Sequence, residues 1–290
     1  MRCEMQTPKG YNHRDTENAE ALFSVTSVSL WLSPFILRYS QNMLANWETD
    51  GVLFPIRVLD RDEVASFRAR LEETQRRAGP RRRYDACHLY FRWAWDLAMH
   101  PRVVDGVESI LGPDIIIHSA RVMVKFPHDL GYVSWHQDGT YTGLNSSPTL
   151  TAWIALTDST PENGCVRVVT GSHHKPPLEH VRTDGRPDVM NRGEIEALDF
   201  DRSRIVDVVL RAGEMSMHDS NIIHGSEPNR SDEPRIGFNV SYATPAVEAA
   251  HTAVVIARGR NAYPRFEVRH DPPGDDLDAS IEAMRKEGML

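Results

Sequence analysis

From Gly51 the chain alternates loosely between apolar and polar residues through GVLFPIRVL, which predicts a strand ending at Asp60. Asp60 and Glu63 have the spacing of a helix N-cap and its capping box. Val64, Phe67 and Leu71 then mark the buried stripe of a helix running to about Ala78, and Gly79-Pro80 stops it. Arg81, Arg82 and Arg83 read as a short solvated loop. A helix is expected over 89–98. Another is expected over 101–111, where Val103, Val104, Val107 and Ile110 recur at helical spacing and Gly112-Pro113 closes the run.

The period then drops to two. Segments 114–126, 132–136, 150–157, 165–169, 205–210, 214–218 and 235–243 read as strands, separated by turn-forming clusters such as NSSP, STPENG and PNRSDEP. Many short strands after early helices predict a mainly β (α+β) fold, a sandwich or jelly roll with a helical flank. Residues 173–203 exceed the usual loop length and form a candidate lid or binding loop, with Arg182, Arg186 and Arg192 as solvated charge. A further strand at 253–257 and a charged helix near 277–288 complete the pattern. With no internal repeat and no linker, residues 43–290 are expected to form one domain. Residues 1–42 form an N-terminal extension, packed on that domain or partly disordered, and a new pattern begins at Met43.

Composition narrows the function. The 290 residues are 40% hydrophobic and 26% charged with a formal net charge of −8, so nothing favours a nucleic-acid partner. The apolar run at 21–37 follows acidic Asp15, Glu17 and Glu20 and is interrupted by Ser and Thr, which fits neither a secretory signal nor a membrane span. Cys3, Cys87 and Cys165 are far apart and form no CxxC pair. That argues against a disulfide framework or zinc-thiolate site and for a cytoplasmic protein.

The chemistry concentrates in two segments. WHQDG places His136 and Asp138 two apart, where strand residues share a face. His224, in MHDSNIIHGS, is the best third ligand, with His218 as its rival. Two His and one carboxylate make a facial triad with open positions, the geometry of non-heme Fe(II) oxygenases. His13-Arg14-Asp15 repeats the spacing without partners and is read as chance. Arg235 begins the strand RIGFNVSY eleven residues after His224, and its guanidinium can grip the far carboxylate of a 2-oxo acid chelated on iron.

WHQDG, TAWIALTDSTPENGCVRVVTGSH and HGSEPNRSDEPRIGFNVSY together resemble the phytanoyl-CoA dioxygenase family, over about 43–250. The resemblance implies a double-stranded β-helix (jelly roll, cupin-like) with flanking helices, and iron on His136, Asp138 and His224. It also implies that Lys125, Trp153, Ser226 and Arg235 contact 2-oxoglutarate. The implied activity uses Fe(II), 2-oxoglutarate and O2 to hydroxylate or otherwise oxidise an unactivated C–H bond of a small molecule. Succinate and CO2 are released. A natural-product or specialised-metabolism intermediate is the expected substrate.

Three alternatives stay open: a halogenase on the same fold, a catalytically inactive small-molecule-binding homologue, and a cupin-like zinc hydrolase or isomerase. Halogenation is disfavoured because Asp138 is present where such enzymes carry Gly or Ala. Thr140 and Tyr141, just past the carboxylate ligand, are candidate pocket residues. Arg121 alternates with Met123 onto the face of Lys125 and is a candidate substrate contact, since a buried cation needs a partner. Cys165 reads as a small core residue beside a tight turn.

Overall fold

The structure is a computed structural model that describes residues 46–142, 148–181, 187–189, 194–195, 200–247, 253–261 and 266–290. The expected extension at 1–42, Met43, and Arg182, Arg186 and Arg192 lie outside the described residues. Along the chain run β1 (Val52–Arg57), α1 (Arg61–Ala78), β2 (Arg83–Asp85), α2 (Arg92–Ala98), α3 (Pro101–Leu111) and β3 (Ile115–Lys125). Next come β4 (Val133–His136), α4 (Asp138–Thr142), β5 (Thr149–Ala155), β6 (Val166–Val169), β7 (His180–Val181) and β8 (Glu194–Ile195). The rest is β9 (Ile205–Val208), β10 (Glu214–Asp219), β11 (His224–Ser226), β12 (Arg235–Ala243), β13 (Ala253–Arg258), β14 (Glu267–Arg269) and α5 (Leu277–Lys286).

The local signals act as expected in α1. The Asp60 side chain accepts from the backbone of Asp62 and Glu63, Glu63 reaches back to the Asp60 N–H, and Gly79 closes the helix at φ +93°. The basic loop departs from expectation. Arg83 opens β2, which pairs with β3, and Arg82 forms a two-pronged ion pair with the buried carboxylate of Asp129. Three neighbouring arginines look solvated until the acid that binds one of them is brought in from a distant loop. The lid segment also contains regular structure, the short pair β7–β8.

Two sheets, antiparallel apart from the β13–β14 pair, build the body. The larger runs β1–β10–β5–β12–β3–β13–β14, with β2 added to β3; the smaller runs β4–β11–β6–β9. The larger sheet is sharply two-faced. Ala120, Val122 and Val124 of β3, Ala152 and Ile154 of β5, Met215 and Met217 of β10, and Ile236, Phe238 and Val240 of β12 join one apolar cluster with Val64, Leu71, Leu97, Val103, Val107 and Ile281 of the helices. Burying that face against helices supplies most of the driving force for docking them, at roughly 25 cal/mol per Å² of apolar surface. The alternate residues point the other way. Arg121, Met123, Trp153, His218, Arg235 and Asn239 line a cavity together with Val133, His136, Val166 and His224 of the smaller sheet. The cavity therefore lies between the sheets, as in a jelly roll. Among the described residues no helix is long and apolar enough to cross a membrane.

Candidate metal centre

His136 ends β4 and His224 begins β11, and the two are direct partners across that antiparallel pair. Their rings lie 4.0 Å apart. Asp138 opens α4, so the strand ends at His136 and does not carry both ligands on one face as the i, i+2 spacing predicts. The turn into the helix still brings them together. Asp138 Oδ1 is 3.6 Å from His136 Nε2, and its Oδ2 is 3.8 Å from His224 Nε2. One ligand atom from each of the three lies within 4.8 Å of the others, and all three residues are buried.

Hydrogen bonds on the far sides of the rings set their tautomers. His136 Nδ1–H donates to the Ser134 carbonyl at 2.8 Å, and His224 Nδ1–H donates to the Ile222 carbonyl at 3.0 Å. A carbonyl only accepts, so Nδ1 carries a proton in each ring and Nε2 is the nitrogen that faces Asp138. Thr151 of the larger sheet donates to Asp138 Oδ2 at 2.8 Å and orients the carboxylate from behind. Burial alone would raise the Asp138 carboxyl, but the neighbouring imidazoles of His136, His218 and His224 hold it well below the usual range. Burial, and then His136, drive His224 well below the ordinary imidazole value, so it is a neutral ligand. A carboxylate oxygen and two imidazoles on one side of a cavity fit a divalent first-row metal. His218 stays a neighbour, its Nε2 3.8 Å from Asp138 Oδ2 and its ring 4.6 Å from that of His224.

Arg235 extends the site. It is buried in the cavity wall with its guanidinium carbon 5.1 Å from the Trp153 ring centre. Its Nε has no hydrogen-bond partner, and among the described residues no carboxylate pairs with it. Burial pushes it down to about 10, which leaves it a cation at neutral pH. Ser226 lines the same cavity. Lys125 is the register partner of Arg235 but bonds elsewhere. Its Nζ donates to Ser226 Oγ at 2.6 Å and to the Glu227 carbonyl, so it holds Ser226 from behind.

Of the remaining expected residues, Arg121 lines the cavity. Thr140 is exposed on α4 and is not among the lining residues; the side chain of Tyr141 lies outside what is described. Cys165 is buried, and burial pushes its thiol up to about 11, so it is an inert core residue. Three contributors were missed. Thr151 and Asn239 both sit on the polar phase of strands whose other phase is wholly apolar, and that alternation could have found them. Gln137, between the ligands, ties them to the lid segment. Its Oε1 accepts from Leu178 N–H at 2.8 Å, its own N–H donates to His180 Nε2 at 3.0 Å, and its Nε2 donates to the Asn221 carbonyl. No sequence pattern marks those partners.

A family model described as phytanoyl-CoA dioxygenase matches residues 47–237. A probable alpha-ketoglutarate-dependent hypophosphite dioxygenase of Stutzerimonas stutzeri is 29% identical over 165 residues, which is 56% of this chain and 57% of that one. An ectoine dioxygenase of Streptomyces avermitilis is 28% identical over 219 residues, 66% of this chain and 74% of that one. Among solved structures, the non-heme monooxygenase ThoJ in its apo form matches with a TM-score of 0.73 at 28% identity, covering 84% of this chain and 94% of that one.

Proposed function

Because the chain belongs to the phytanoyl-CoA dioxygenase family, we propose that it is an Fe(II)- and 2-oxoglutarate-dependent dioxygenase that hydroxylates an unactivated C–H bond of a small molecule of specialised metabolism. One observation carries this reading. A buried guanidinium that no described carboxylate pairs with, Arg235, shares a cavity with a His136–Asp138–His224 cluster of metal-ligand type. A buried cation without a counter-ion is costly, and a dicarboxylate chelated beside the triad supplies one.

His136, Asp138 and His224 hold the iron. When bound, the iron with 2-oxoglutarate and O2 supplies the oxidising power for C–H cleavage, with succinate and CO2 released. Arg235 grips the distal carboxylate of 2-oxoglutarate, and Trp153 fixes the guanidinium from one side. Ser226, held by Lys125, donates its hydroxyl to the same ligand. Thr151 keeps Asp138 oriented so that its oxygen faces the two imidazoles. Gln137, between two of the ligands, ties their turn to Leu178 and His180 and so fixes the backbone that presents His136 and Asp138. Asp138 supplies the carboxylate ligand whose loss would open a position for halide, so oxygen transfer is favoured over halogenation.

Anaerobic Fe(II) and 2-oxoglutarate should give the loaded protein a weak visible charge-transfer band. Absence of the band, or its survival in a His136→Ala/Asp138→Ala double variant, would sink the assignment. Chlorine in the product of the wild type would sink the hydroxylase reading alone.

A further inference from the structure

The cavity face of β12 carries an open hydrogen-bond acceptor. Arg235, Gly237 and Asn239 follow one another on that face at two-residue intervals, because Ile236, Phe238 and Val240 of the other phase belong to the apolar cluster. Asn239 lines the cavity, and its Oδ1 is buried without a hydrogen-bond donor. Its neighbours in the row do not satisfy it. Trp153 on β5 and Arg121 on β3 are its register partners, and Arg121 is engaged by Ser119 Oγ at 3.3 Å and stands 3.6 Å from Asp85. His218 stands against Asp138 in the metal centre, and Arg235 and Ser226 mark the other end of the cavity. Met123, Val133 and Val166 make the wall apolar elsewhere.

We propose that Asn239 determines substrate specificity by accepting a hydrogen bond from the substrate, and that the substrate is a largely apolar molecule carrying a hydroxyl or amide N–H close to the C–H bond that is oxidised. The inference deepens the dioxygenase reading above and rests on it. Chemistry separates substrate from co-substrate at this residue. As a dianion, 2-oxoglutarate has no O–H or N–H, so it cannot satisfy an acceptor, whereas Arg235 and Ser226 are donors and suit its carboxylate. An acceptor left bare once a ligand has displaced water from the cavity is penalised, so a ligand without the donor is rejected.

Placement supports it too. Asn239 is four residues along β12 from Arg235, roughly 13 Å at strand rise, which sets it apart from the end that grips the distal carboxylate. The next row on the same face pairs Ser241 with Thr151, a step of roughly 7 Å. Thr151 donates to Asp138. A donor resting on Asn239 therefore puts the carbons next to it beside the triad, and the apolar wall takes the remainder of the molecule.

The test uses the full chain loaded anaerobically with Fe(II) and 2-oxoglutarate. The probes are cyclohexylmethanol and caprolactam, each beside its methylated counterpart, the methyl ether and the N-methyl lactam, which keep the acceptor and lose the donor. Binding is read by calorimetry and by the shift of the visible band. At least one donor should bind about tenfold or more tightly than its counterpart. Asn239→Leu should erase that preference while costing 2-oxoglutarate less than about threefold. Equal binding within both pairs, or no binding of any probe, would overturn the proposal, and this comparison needs only the wild type. So would a preference that survives Asn239→Leu, which is then steric, or a loss in that variant as large for 2-oxoglutarate as for the probe. A protein that gives no band at all fails the iron and 2-oxoglutarate reading instead, which keeps the two failures apart.

Discussion

The guanidinium of Arg235 packs over the indole of Trp153 at 5.1 Å, and Gly237 is what lets the indole lie where it does. A Cβ at position 237 would stand 2.0 Å from Trp153 Cζ2. The two residues come from neighbouring strands, β12 and β5, whose register is pinned by the apolar residues on the opposite face. A planar cation over an aromatic face is worth about 0.5–2 kcal/mol, and here it also sets the direction in which the guanidinium points.

Gly237→Ala therefore moves the indole and with it Arg235. Overpacking of this kind costs about 1–3 kcal/mol of stability. The 2-oxoglutarate affinity of the iron-loaded protein should fall by about tenfold or more, while iron content changes little. Calorimetric titration with 2-oxoglutarate decides it, and an unchanged dissociation constant would remove Trp153 from the site.

Thr151→Val removes the hydroxyl that donates to Asp138 Oδ2 at 2.8 Å and nearly preserves shape. Partners of metal ligands typically matter by about 10- to 100-fold in metal affinity. Competition for Fe(II) against a chelator should show a loss in that range. Retention of full affinity would mean that the carboxylate is oriented by its other neighbours alone.

Gln137→Leu deletes both side-chain bonds that join the metal strand to the segment around Leu178 and Asn221. Losing two partly buried hydrogen bonds costs about 1–3 kcal/mol. Limited proteolysis should cut near 172–181 faster in the variant, with iron still bound. Equal cleavage rates would show that this segment is held by other contacts.

Lys125 links the site to pH. Burial first, and Arg235 next, push its ammonium from 10.5 down to about 6. The unfolded chain keeps that proton up to about 10.5, whereas the folded protein releases it above about 6. The unfolded state thus binds more protons across this window, and stability from this group rises with pH from about 6 to 10.5 and is lost as pH falls toward 6. The slope approaches about 1.4 kcal/mol per pH unit. In urea unfolding of the apoprotein, the stability of Lys125→Met relative to wild type should decline steadily over that range. Parallel pH profiles would rule out a buried, neutral Lys125.

Much of this protein is written locally. The phase of VMVK, TAWIA and RIGFNVS separates an apolar face from a face carrying Lys125, Trp153 and Arg235, because a strand has no other period than two. The Asp60–Glu63 box and the Gly-Pro stops are likewise short-range chemistry. His136, Asp138, His224 and Arg235 could be singled out because the His-x-Asp pair has a distant His and a strand-opening Arg as company, which the same pair at His13 and Asp15 lacks, and the structure brings the first three within 4.8 Å of one another. The strand assumption for Asp138 failed at the one point where backbone direction changes.

What lay beyond local pattern depends on which faces meet. The pairing of His136 with His224 follows from the register of two strands far apart in sequence. So do the donation of Thr151 to Asp138 across the gap between sheets, the capture of Arg82 by buried Asp129, and the turning of Lys125 away from the cavity toward Ser226. Hydrophobic burial chooses those neighbours globally, through the docking of the helices on one face of the larger sheet and the smaller sheet opposite the other. A polar side chain acquires its role only once that packing has decided what stands within reach of it.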